Sequence, residues 1–205
     1  TAGDVISGGS NANQIAVARI LQTYFFHVIT DRWGMIPYSE ALQGRENLQP
    51  AYDSQTDIYQ GMITELKEAV IQIDGGPGVV GDVLFGGDMD KWARFANTLR
   101  LRLALRLSEA NSSLAQSEFS DAANSNLITE DVMYPFLGDA NNENPWFSRF
   151  RTRTDYAISK FMADTMKNLD DMRLTAYADP APDSENSTPG VQLEEIQGMP
   201  YGIAD

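Results

Sequence analysis

Over residues 14–32 the chain is apolar on nearly every side of a helical wheel, and the pattern breaks at Gly34. Ile15, Ala18, Leu21, Phe25 and Val28 form one stripe, and Val17, Ile20, Tyr24 and Ile29 widen it. A helix that is apolar on most sides has to be buried among other elements. The remainder of the chain must therefore supply a bundle around it.

Two further helices are written clearly. Ser54 with Asp57 three residues on opens the second in the manner of a capping box. Ile58, Met62, Leu66, Ala69 and Ile73 then share one face, and Gly75-Gly76-Pro77-Gly78 ends it. Residues 99–107 alternate Leu with Arg or Ala, which alone is a strand pattern. Asp88 is nevertheless a good N-cap, and Trp92, Phe95, Ala96, Leu99, Leu103 and Leu107 recur at helical spacing. Leu, Arg and Ala are also strong helix formers, so a third helix is predicted. Helices two and three are expected to pair as an antiparallel hairpin of tetratricopeptide size, without a clear repeat period.

Shorter helices are predicted over 113–124 and 156–169, the latter with Ile158, Phe161, Met162, Thr165 and Leu169 inward. Residues 1–12 read as a mobile polar lead-in, and the last thirty-odd residues as loop or isolated strand. The fold class is all-α: one helical domain over 1–205, with a helical core at 13–110 and shorter helices and irregular loops at 111–205.

A net charge of −14 repels phosphate backbones, so nucleic acid is excluded as a partner. The same field opposes binding to anionic lipid surfaces. The absence of cysteine removes disulfides, thiolate zinc sites and thiol nucleophiles. No run reaches the roughly 20 apolar residues that a spanning helix needs.

The other motifs carry little chemistry. Residues 76–81 match G-x-G-x-x-G, but they follow a helix instead of a strand, so a flexible inter-helix loop is expected and no dinucleotide. His27, the single histidine, lies among apolar neighbours and is expected to be a packed, hydrogen-bonded core residue. Asp88, Asp90, Asp170 and Asp171 read as caps and solvated charges; Asp179, Asp183 and Glu185 lack the spacing of a calcium loop. Arg100, Arg102 and Arg106 read as partners of the surplus acids. No catalytic residue, cofactor or metal site is expected.

Residues 141–156 are the best candidate site. Amide side chains, three arginines and four aromatic rings crowd a stretch that reads as irregular. Aromatic faces stack on the C–H faces of sugar rings, while Asn and Arg satisfy hydroxyls. Trp146, Phe147, Asn142, Asn144 and Arg149 are the candidate carbohydrate-binding residues. The competing reading is a loop whose Trp146 and Phe147 plug the core.

Several separate stretches resemble the SusD/RagB family. They are residues 24–42, with Asp31-Arg32-Trp33-Gly34 and Pro37-Tyr38; Tyr52-Asp53-Ser54-Gln55; residues 81–102, with Gly86-Gly87-Asp88 and Lys91-Trp92; Glu143-Asn144-Pro145-Trp146-Phe147; and residues 171–180. The resemblance implies tetratricopeptide-like hairpins with an irregular ligand-facing part. It implies capture of oligosaccharides, or of peptides in some branches, without catalysis. It also implies a SusC-like TonB-dependent transporter as partner and a surface lipoprotein of the outer membrane, its lipid anchor lying outside this chain. Family members are longer, so the chain is expected to be an internal piece, incomplete at both ends. A glycoside hydrolase and a protein–protein scaffold stay open as alternatives.

Overall fold

The computed structural model describes residues 11–139, 141–153, 156–180 and 193–200. The predicted lead-in before residue 11 therefore lies outside the described residues. Those described form seven α-helices and two 3₁₀ turns, Gly44–Glu46 and Leu193–Glu195, with isolated bridges but no extended strand. The fold class is all-α. Two compact units divide the chain, Thr1–Pro135 and Phe136–Asp205.

The first unit holds α1 (Ala12–Trp33), α2 (Gln55–Gln72), α3 (Met89–Arg106) and α4 (Ser112–Ala123). Helices α1 and α2 are antiparallel, and polar side chains lock both ends of the pair. The buried Asn13 donates from Nδ2 to Gly76 O and Pro77 O, both at 3.2 Å, and accepts from Asp74 N at 3.0 Å. At the other end Gln55 Nε2 donates to Thr30 O at 2.9 Å. Helices α3 and α4 form the second hairpin, and α2 packs against α3, so the pairing predicted from sequence joins two hairpins. Ile20, Ile58, Met62, Leu66, Trp92 and Leu103 make the fully buried centre.

Both clear sequence signals hold. Ser54 Oγ accepts from Asp57 N at 3.1 Å and caps α2, while Asp88 caps α3 by accepting from Lys91 N at 3.2 Å. The rotation of α1 differs from expectation. Its inner face is Ala16, Val17, Ile20, Thr23, Phe26, His27 and Thr30, and Phe25 is 60% exposed, with Val28 and Ile29 also on the outside. A helix apolar all round carries no rotational signal in its hydrophobic pattern. The polar bonds of Asn13 and Thr30 orient it instead.

The glycine-rich connection between α2 and α3 is held in place, not free. Asp82 Oδ1 accepts from Leu84 N at 2.9 Å and Phe85 N at 3.2 Å, and its Oδ2 accepts from Gly87 N at 2.9 Å and Trp92 Nε1 at 2.8 Å. Gly78 and Gly87 cross so closely that a Cβ on Gly78 would come 2.0 Å from Gly87 O.

His27 is packed as expected, but it is not hydrogen-bonded. Its Nε2 lies 2.9 Å from Asp31 Oδ2 without the geometry of a formed hydrogen bond, and Nδ1 has no partner among the described residues. Asp31 is engaged by the Tyr59 hydroxyl and by Arg106 Nη1 at 3.0 Å. Burial, helped by Arg102 and Arg106 and opposed by Asp31, lowers the His27 pKa below its ordinary 6.5. The unfolded chain then takes up a proton that the folded chain resists, so stability is complete above 6.5 and falls as pH drops below it. Because this is the single histidine, the slope just below neutral pH is its own, while carboxylates such as Glu118 add theirs at lower pH. Denaturation midpoints compared at neutral pH and at about pH 5.5 are expected to show the drop in the native sequence and to lose it in His27→Gln. An equal slope in both would remove His27 as the cause.

The second unit holds α5 (Pro145–Thr152), α6 (Lys160–Asn168) and α7 (Leu174–Tyr177). Its core is small: Ala163, Met166, Leu174 and Ile196, backed by Ile158, Ala178 and Leu193. Helix α6 starts later than predicted and turns a different face inward. Phe161 is 78% exposed, and Leu169 and Met162 are also on the outside. The rotation is fixed by a distant segment: Lys160 N donates to Met199 O and Met199 N to Ile158 O, both at 2.8 Å. No local pattern encodes that pairing. The described part of the tail, residues 193–200, is one 3₁₀ turn and one bridge, as a loop with an isolated strand would be.

Candidate functional site on an aromatic helix

Residues 141–156 do not form an irregular loop. Helix α5 occupies the middle of the stretch, and its start is encoded by Asn144-Pro145. Asn144 Oδ1 accepts from Trp146 N at 2.8 Å and Phe147 N at 3.3 Å, and Pro145 takes the first position, where a missing N–H costs nothing. Asn144 thus aims the helix and spends its carbonyl oxygen doing so. Asn142 Nδ2 is tied to Asp139, at 2.9 Å and 3.2 Å from its two carboxylate oxygens.

The helix carries three large rings outward. Trp146 is 61% exposed, Phe147 59% and Phe150 56%, which overturns the reading of Trp146 and Phe147 as core plugs. Tyr156 organises one side. Its ring meets Trp146 edge-on at 5.7 Å and 87°, and meets Phe150 at the same distance. Its hydroxyl accepts from Arg149 Nη1 at 2.6 Å. That bond draws the Arg149 guanidinium to 6.0 Å from the Trp146 ring centre, a cation–π distance. Phe147 belongs to another group, with the Arg151 guanidinium 5.8 Å from its ring and Arg151 bound to Glu143.

Of the five candidate residues, the structure brings Trp146 and Arg149 together, sets Phe147 beside Arg151, and uses Asn144 and Asn142 to hold the backbone. Sequence reasoning left Tyr156 and Phe150 unassigned; their spacing from Trp146 and Arg149 became informative only once α5 was known to be a helix. Of the acidic residues weighed for calcium, Asp183 and Glu185 lie outside the described residues. Among the described residues no helix is long and apolar enough to cross a membrane.

Stacked helical hairpins of tetratricopeptide-like build define the class of protein. Over residues 2–205 the chain matches the SusD-like family described as starch-binding and associating with the outer membrane, and it belongs to that family. The structure is similar to that of a chitin-binding protein, with 28% identity and a TM-score of 0.75 over 96% of this chain and 46% of the other. It is also similar to a SusD homologue from Bacteroides vulgatus, with 26% identity and a TM-score of 0.75 over 94% and 39% of the two chains. A SusD homologue from Parabacteroides distasonis shares 30% identity with a TM-score of 0.61 over 69% and 29%. No curated protein matches. The chain spans less than half the length of these solved relatives.

Proposed function

We propose that this protein captures oligosaccharides at the bacterial cell surface and passes them to a TonB-dependent outer-membrane transporter, without chemical turnover. The observation that carries this reading is the helix of outward-facing aromatic rings in a chain of the SusD-like family. Trp146 and Phe147 offer stacking surfaces, Arg149 serves hydroxyls at the edge of Trp146, and Asn142 and Asn144 hold the helix start that presents them. A lipid anchor outside this chain would be the protein's contact with the membrane.

Weak capture is what such a site delivers. A stacked sugar ring hides on the order of 50 Å² of aromatic surface, worth roughly 1 to 1.5 kcal/mol. Two platforms and a few hydrogen bonds, less the cost of association, leave dissociation constants of about micromolar to millimolar. That range suits a protein that must release its cargo. Trp146→Ala is expected to weaken oligosaccharide binding about tenfold, or roughly 1.4 kcal/mol, with helicity unchanged. Calorimetric titration with malto- and chito-oligosaccharides, paired with circular dichroism, makes the measurement. Unchanged affinity would place the site elsewhere, and binding of peptides alone on a mixed glycan and peptide array would replace the sugar as cargo.

A further inference from the structure

The segment that most marks this sequence, residues 24–42, also builds one wall of a cleft in the first unit. The cleft has a volume of about 490 Å³ and lies among α1, α2 and the turn that follows α1. That volume falls within the range of small-molecule sites, about 300–1,000 Å³. Arg19, Gln22, Thr23, Phe26, Tyr38 and Glu65 are the residues that matter.

We propose that this cleft is a binding site for a neutral saccharide. It stands on the cleft's own chemistry and does not depend on the aromatic helix α5. Its rings are fixed in advance. Tyr38 meets Phe26 edge-on at 4.9 Å and 78°. The Tyr38 ring is pressed so close to α2 that a Cβ on Gly61 would lie 2.6 Å from its Cε1. Its backbone is held too, because Asp53 accepts from Tyr38 N at 2.9 Å, Ser39 N at 2.8 Å and Ser39 Oγ at 2.7 Å.

The polar lining selects the ligand class. Each nitrogen of Arg19 has a partner: Nε donates to Glu65 Oε2 at 2.7 Å, Nη1 to Gln72 Oε1 at 3.2 Å, and Nη2 to Glu68. Its charge is thereby offset, and an anion entering the cleft would face Glu65. The Tyr38 hydroxyl and the Gln22 amide also line the cleft, and neither carries a charge. Burial and the carboxylates of Glu65 and Asp53 push the Tyr38 hydroxyl up to about 12, so it stays a donor. Neutral donors and acceptors beside the fixed Tyr38 ring match a sugar's hydroxyls and its apolar C–H face.

The test is a ¹H–¹⁵N chemical-shift titration of the whole chain with glucose, N-acetylglucosamine, maltose and chitobiose at millimolar concentrations. At least one of these sugars is expected to shift the amides of Gln22, Tyr38 and Ser39 in a saturable way, and to do so equally in Trp146→Ala. Tyr38→Phe, which keeps the ring, and Gln22→Ala, on a part-exposed side chain, should each weaken that binding about three- to tenfold, the worth of one neutral hydrogen bond. No shift at the cleft with any of the four sugars would overturn the proposal. So would binding that neither substitution alters, or a response that vanishes in Trp146→Ala, which would assign the sugar to α5 alone.

Discussion

Arg100→Ala is expected to cost the first unit about 3 kcal/mol of unfolding free energy, at the lower end of what breaking a buried ion pair costs. Arg100 is 4% exposed on the inner side of α3. One Nη2 serves both Glu118 Oε2, at 3.0 Å, and Asp121 on α4. Lys67 on α2 reaches Glu118 Oε1 at 2.9 Å, so three helices meet at one carboxylate. Burial works against the Glu118 carboxylate, but its bonds to Lys67 and Arg100 outweigh that and hold its pKa below the ordinary value. Without Arg100 the carboxylate stays buried with Lys67 alone.

The cost comes from the orphaned charge more than from the lost attraction, and a second variant separates the two. Arg100→Met with Glu118→Leu removes both charges together and should cost far less than Arg100→Ala. Arg100 Nε already has no acceptor, so part of the network is unsatisfied before any change. The depressed Glu118 pKa means this contribution is present at neutral pH and lost as pH falls through the folded-state value. Guanidinium denaturation followed by circular dichroism measures all three. A single variant within about 0.5 kcal/mol of the native chain would show the network to be inert.

Asp82→Ala is expected to be comparably damaging, at about 2 to 4 kcal/mol, because each buried donor left unpaired costs about 1 to 3 kcal/mol. Asp82 receives three backbone N–H groups and the indole of Trp92, whose side chain is 1% exposed. Burial raises its pKa, yet those four donors more than compensate and leave it lowered. Asp82→Asn keeps one acceptor oxygen and should recover about half of the loss. If the alanine variant unfolds at the native denaturant concentration, the loop is held by its glycines and not by this carboxylate.

How far the sequence could be read follows from where each instruction was stored. Helices α2 and α3 were legible because Ser54 and Asp88 sit next to the helices they cap and because their apolar residues keep to one side. The rotation of α1 was not legible, since its outside is as apolar as its inside and the choice rests on Asn13, which bonds to residues more than sixty positions away. The inner face of α6 was hidden for the same reason, being set by Met199. Helix α5 was readable in principle from Asn144-Pro145, but the density of amides and arginines around it suggested a loop. At the candidate site, the aromatic composition was visible and the arrangement was not. Nothing in the spacing shows that Tyr156 would gather Trp146, Phe150 and Arg149, or that Asn144 would serve the helix instead of a ligand.

The crossing of Gly78 and Gly87 reaches further than local geometry. A methyl group at Gly78 would collide with backbone, which cannot swing aside as the end of a long side chain can. Between the two glycines the loop is free to vary in kind, as at Val80, which is 92% exposed, but not in length, because an inserted residue would part the crossing and pull Asp82 off Trp92. Descendants of this chain should therefore drift on the outer curve of the loop while the crossing stands still. Lineages that lengthen the loop should be those that have also lost the carboxylate at position 82 or replaced the tryptophan at 92, so that loop length and these two side chains are inherited as a set.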